Sequence, residues 1–152
     1  MAFWAQVQIS GEALQISART LQSMLEPESA YYKLLFEYTY TLSKQIALTV
    51  TCDWFHTPEQ RLARWLLMAQ DRISSDSMVL THDNMAQMLG VSRSRVSLAA
   101  EALQRKGLIH YLRGHINILN REGLKVAACE CYLAISRAIG CFLPPGAGAI
   151  SN

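Results

Sequence analysis

The sequence predicts a mainly α-helical chain with a small β-sheet, in which a long dimerisation helix precedes a winged helix-turn-helix domain. Three observations carry this. After Pro27, no Gly or Pro interrupts the chain as far as Trp54. Ala86, Gly90 and Val96 have the spacing that two short helices joined by a tight turn require. Soon afterwards, apolar runs flank Arg113-Gly114, as in a hairpin.

The totals set the bounds. The chain has 152 residues, room for one domain or two small units. It is 51% hydrophobic and 17% charged, which suits a packed core and not a disordered chain. The apolar runs are too short to span a membrane. The start, "MAFWAQVQIS", lacks the basic flank and sustained apolar core of a leader, so a cytoplasmic location is expected.

Residues 1–25 hold extended-looking pieces, "VQI" and "ALQI", around Ser10-Gly11. They read as the last strands of something larger, because so few residues enclose no core. Glu26-Pro27-Glu28-Ser29 reads as a helix start, with acids at the positive end of the dipole. A helix is expected over 26–56, roughly 40 Å long at 1.5 Å per residue. Leu35, Tyr38, Leu42, Gln45, Thr49 and Cys52 alternate at three and four, the spacing of a two-helix seam, although the second half is polar. Phe36, Tyr40, Ile46 and Val50 place apolar groups on other faces. Such a helix needs covering. Self-association into a homodimer is the favoured reading, and a core helix within one monomer is the alternative.

Residues 57–137 read as the winged helix-turn-helix domain. In "HTPEQRLARWLL", Thr57 caps, Pro58 takes the first helical position and Gln60 completes a capping box. Leu62, Trp65, Leu66 and Ala69 form a buried stripe, "DRISSDS" ends the helix, and "MVL" at 78–80 is a short strand. Thr81 then caps a short helix bearing Met85, Ala86 and Leu89. Gly90 ends it, where a left-handed residue costs least. Ser92 caps a second helix with Val96, Ala99, Ala100 and Leu103 on its buried side. A steep crossing needs a small residue at the contact, which is Ala86, and a plug in the angle, which is Val96.

The second helix, about 92–104, presents Arg93, Ser94 and Ser97 near its N-terminus, with Arg95 and Leu98 on its flanks. The first turns of a recognition helix reach base edges in the major groove. Arginine can bind guanine in bidentate fashion, and serine reaches bases or phosphates. Arg93, Ser94, Ser97 and Leu98 are therefore the candidate base readers. Thr81, His82 and Ser92 stand near helix N-termini, whose backbone N–H groups favour a phosphate. Arg95 is a further phosphate candidate, as are Arg113 and His115 at the tip of the hairpin in "GLIHYLRGHINIL". A last helix is expected from Asn120 to about Arg137, packed through Leu124, Ala127, Ala128, Cys131 and Ile135. Residues 138–152, with "PPGAGAISN", read as a flexible tail.

Charge agrees with this division. Residues 1–57 carry three basic and five acidic groups; residues 58–152 carry eleven and seven. Between Gly90 and His115, five cations face a single acid, Glu101.

Cys52, Cys129, Cys131 and Cys141 form no CxxC pair. Cys129 and Cys131 would face different ways on one helix, so reduced, partly buried thiols are expected and no metal. His56, His82, His110 and His115 show no ligand spacing and no nucleophile beside them, so no catalytic residue is expected either.

The sequence resembles the Crp/Fnr family of bacterial transcription regulators. "TPEQRLARWLLMAQDR", "LTHDNMAQMLGVSRSRV", "ALQRKGLI" and "RGHINILNREGL", with "ACECY" after them, are similar to the winged-helix half of one branch. "VQISGEALQISARTLQSML" resembles the end of the family's cyclic-nucleotide-type sensor barrel running into the dimer helix. The resemblance implies that most of the barrel is missing, as in a fragment, a shortened frame or an effector-independent form. No cofactor is expected, because the effector pocket would be incomplete. The N-terminal cysteine cluster of iron–sulfur members is not matched. One branch carries Arg-Glu in the recognition helix, with a second Arg four positions after the Glu. Arg93 matches the first Arg, but Ser94 and Leu98 stand at the other two positions, so that branch's operator does not transfer.

The function expected is a non-enzymatic transcription regulator that binds a near-palindromic operator as a homodimer. Double-stranded DNA, a second copy and RNA polymerase are the expected partners, and no membrane. The alternative is a protein-interaction module that uses the same fold without reading DNA.

Overall fold

The computed structural model describes residues 14–27, 29–73 and 75–140. The expected "VQI" strand and the tail beyond 140 lie outside them. Within the described part of 1–25 the chain forms a helix, α1 (Ala18–Met24), and no strand. The Ser17 hydroxyl accepts the Thr20 N–H and so caps it. The long helix α2 spans Ala30–Phe55. It begins later than expected because Ser29, and not the acidic turn before it, is the cap: its hydroxyl accepts the Tyr32 N–H.

The next helix, α3 (Pro58–Ile73), is the centre of the fold. Its capping box forms as expected: Gln60 N–H donates to Thr57 Oγ1, and Thr57 N–H donates to Gln60 Oε1. Leu62, Ala63, Leu66 and Leu67 are fully buried. Around α3 pack α4 (His82–Leu89), α5 (Arg93–Arg105), α6 (Arg121–Ala127) and α7 (Cys131–Gly140). Their shared core includes Met85, Val96, Leu103, Leu124 and Ile135.

Three short strands close one side. β1 (Ser77–Val79), β3 (His115–Ile118) and β2 (Ile109–Leu112) form an antiparallel sheet in the order β1-β3-β2. Met78 pairs with Ile116, and Leu112 with His115. The β2–β3 hairpin therefore turns on two residues, Arg113 (φ 50°) and Gly114 (φ 84°). Positive φ at both is the two-residue turn whose twist matches that of the strands.

Two expectations about the C-terminal end need correction. The single helix from Asn120 to Arg137 is two helices, parted at Ala128, which leaves the helical region (ψ 157°). The break lets α7 fold back onto α2 and α3, where Tyr132 and Ile135 are buried. Residues 138–140 are the last turn of α7 and not tail.

A third correction concerns the seam on α2. Leu35 is half-buried, and Tyr38 and Leu42 are exposed. Gln45 and Thr49 instead line a cleft against Arg64, Trp65 and Met68 of α3. Cys52 is 0% exposed, the only buried residue of α2, and faces Cys129 and Cys131 of the same chain. It offers no surface to a second copy. No described helix is long and apolar enough to cross a membrane.

Candidate nucleic-acid interface

The turn between α4 and α5 is built as the sequence requires. Thr81 caps α4 by accepting the Asn84 N–H at 3.2 Å. Gly90 adopts φ 61°, ψ 32°, and its N–H returns to the Ala86 carbonyl. Val91 N–H reaches the same carbonyl at 3.1 Å. Val96 is fully buried in the angle between the helices. Ser92 takes the cap position of α5, but its hydroxyl lies 3.0 Å from that of Ser94 and does not cap.

The first two turns of α5 project outward. Arg93, Ser94, Arg95 and Leu98 are exposed, Leu98 to 64%. Arg93 Nε lies 3.5 Å from Asp83 Oδ1 across the turn, an ion pair open to solvent on both sides. Such a pair is weak, so it orients Arg93 without locking it. Arg95 stands on the neighbouring flank.

Ser97 and His82 are placed differently from the other candidates. The Ser97 hydroxyl lies 3.1 Å from His82 Nδ1 and also donates to the Arg93 carbonyl. The His82 ring stacks on Tyr111 of β2 at 4.5 Å, and its Nε2 is buried without a partner. Both residues are half-buried. The His82 backbone N–H stands in the first turn of α4, beside exposed Thr81. Burial lowers the His82 pKa, with the positive charge of Arg93 acting in the same direction and Asp83 against it. The ring is therefore a neutral link between the start of α4, the recognition helix and the wing.

The wing is tied to α5 a second time. Gln104 Oε1 accepts the Tyr111 N–H at 2.7 Å. The Gly114 carbonyl accepts the Leu80 N–H, which holds the hairpin tip beside the Thr81 cap. Arg113 and His115 are exposed there. The structure thus gathers Thr81, Arg93, Ser94, Arg95, Leu98, Arg113 and His115 onto exposed parts of α5, the α4 cap and the wing.

Residues that periodicity does not mark hold this arrangement. Arg61, buried on α3, donates to the Leu89 carbonyl at the end of α4 and pairs with Asp53 of α2 at 2.5 Å. Arg121 at the start of α6 donates to Gln70, to Asp71 at 2.6 Å and to the Tyr132 hydroxyl at 3.0 Å. In sequence, "RLAR" shows only cations at helical spacing; the partners of Arg61 lie on other helices.

Two short helices crossing on a tight turn, backed by α3 and flanked by a β-hairpin, define a winged helix-turn-helix. Residues 60–127 match the family model of the Crp-like helix-turn-helix domain. The match covers the helix-turn-helix and the hairpin that follows it. The fold is similar to that of a protein from Eubacterium rectale described as a transcriptional regulator of the Crp/Fnr family. The TM-score is 0.58 at 20% identity, over 72% of this chain and 51% of that one. The catabolite activator protein of Thermus thermophilus shares 19% identity over 68% of this chain and 45% of its own, with a TM-score of 0.44. The chain spans about half the length of these structures. No curated protein sequence matches it.

Proposed function

We propose that the protein is a sequence-specific, DNA-binding transcription regulator that acts as a homodimer on a near-palindromic site. The observation that carries this is the outward face of α5, where Arg93, Ser94 and Leu98 are exposed. Arg93 is the guanine reader, since a bidentate pair needs a planar fork. Leu98 suits a thymine methyl. Arg95, Arg113, His115 and the N–H groups beside Thr81 are the phosphate contacts that set register.

The dimer reading rests on α2. Tyr38, Leu42, Ile46, Val50 and Trp54 recur every fourth residue and are each 39–84% exposed. A ridge of this kind is costly to leave in water and matches a second copy of itself. Leu35 borders it. Two recognition helices would then meet successive major grooves about 34 Å apart.

Selection of bound sites from a random duplex pool tests the proposal. Enrichment of an inverted repeat is the expected result. Enrichment of a single half-site would remove the dimer, and no enrichment at any salt concentration would leave a protein-interaction module as the better reading.

A further inference from the structure

We propose that Cys52, His56, Cys129 and Cys131 bind one zinc ion, which fastens the end of α2 to the break between α6 and α7. One potential ligand atom from each of the four lies within 4.8 Å of all the others. The Cys52 and Cys129 sulfurs are 3.4 Å apart. Four ligands at zinc bond lengths of about 2.0–2.3 Å in a tetrahedron lie about 3.7 Å from one another, so small side-chain shifts complete the site. The three cysteines are free thiols, and no disulfide joins them.

The local folding explains the convergence. Cys52 lies in the last turn of α2, and His56 is the residue that ends it, its N–H bonded to the Cys52 carbonyl, which keeps the two close. Cys129 lies in the break after α6, and Cys131 is the first residue of α7. Because Cys129 is off the helix, a spacing of two brings the sulfurs together and does not part them. The three thiols form a buried cluster separate from the apolar core, which is not where small hydrophobes would gather by packing alone.

Arg64 supplies an independent observation. It is 4% exposed, its Nε has no hydrogen-bond partner, and its Nη1 meets only the thioether of Met68 at 3.6 Å among the described residues. Its charge acts on Cys52 and Cys129. A buried cation needs a countercharge. Three thiolates, a neutral imidazole and a divalent ion carry one net negative charge, which Arg64 would balance. Glu130, whose carboxylate lies 3.4 Å from His56 Nε2, is the kind of partner that orients a ligating imidazole.

Without metal, burial pushes the Cys52 thiol up to about 11 and raises Cys129 and Cys131 as well. Zinc binding would therefore displace a proton from each thiol to the solvent. The compactness of the set favours one ion over an iron–sulfur cluster, which spreads its thiolates over separate irons.

The experiment uses the full chain, purified without oxygen, reduced and stripped of metal. Zinc is titrated against a chromogenic chelator, cobalt(II) is followed by visible absorption, and melting is recorded with and without zinc. One ion per chain, an intense tetrahedral cobalt–thiolate spectrum that zinc abolishes, and a raised melting temperature are expected. Cys129→Ser and His56→Ala should each weaken zinc by more than the roughly 10–100-fold lost when a ligand's outer hydrogen-bond partner is removed. Cys141→Ser should leave binding intact. The wild-type titration needs no variant to fold. Failure to bind stoichiometric zinc, a weak octahedral cobalt spectrum, or a sulfide-containing cluster in the purified chain would each overturn the proposal.

Discussion

Arg61 donates a hydrogen bond to the Leu89 carbonyl, the last of α4 before the turn, while its guanidinium pairs with Asp53 on α2. A single buried side chain thus joins the long helix to the helix-turn-helix. Arg61→Leu leaves that carbonyl unpaired and should cost about 1–3 kcal/mol in urea denaturation. The Arg61→Leu/Asp53→Asn double variant should cost less than the sum of the two single changes, because the two groups act through each other. Simple additivity would show that the two residues stabilise the protein independently.

His82 predicts a pH dependence. Folding holds its pKa below the ordinary 6.5, so the unfolded chain binds the proton more tightly. Stability is then complete above about pH 6.5 and falls as the pH drops through the folded value. Because the Ser97 hydroxyl donates to the Arg93 carbonyl, it accepts from His82 Nδ1, and protonation would put the second N–H on the buried, partnerless Nε2, beside the charges of Arg93, Asp83 and Glu101. His82→Phe keeps a ring against Tyr111 but cannot titrate, and should flatten the acid limb of a stability–pH profile. An unaltered acid limb would assign it to other groups.

Gly90 separates backbone strain from steric clash. A Cβ built there meets nothing within 4 Å, yet φ is 61°. Gly90→Ala should cost about 1–2 kcal/mol from the left-handed backbone alone, read as a lower melting temperature. Gly90→Asn should recover part of the loss.

Arg93→Ala should weaken binding to the selected site by about 1–3 kcal/mol and relax preference at one base pair. Equal weakening on every duplex would make Arg93 a phosphate contact. Asp83→Asn, which frees Arg93 from its ion pair, should change affinity without changing the preferred sequence.

Arg113 is best tested as Arg113→Asn, since asparagine tolerates the positive φ of the turn. Affinity should fall alike on all sequences, and the slope of log affinity against log salt should drop by about one. A constant slope would place the wing outside the interface.

Ala86, Gly90 and Val96 made the helix-turn-helix legible in the sequence, because backbone handedness and steric size act locally and at fixed spacing. The capping box at Thr57 and the hairpin at Arg113-Gly114 were legible for the same reason. The pairing of Ser97 with His82 was not, since the two stand fifteen residues apart. Nor was the break at Ala128, where helical periodicity runs on but Tyr132 and Ile135 are drawn back onto α2 and α3. The cysteines show the difference most plainly. Cys129 and Cys131 diverge on an ideal helix and converge only once the chain leaves it. Cys52 read as a seam residue until α7 covered it. Local stereochemistry and apolar periodicity determined the helix-turn-helix, the hairpin and the caps at Thr57 and Thr81. Tertiary packing alone decided which polar groups meet, because contacts between separate elements leave no mark on either segment.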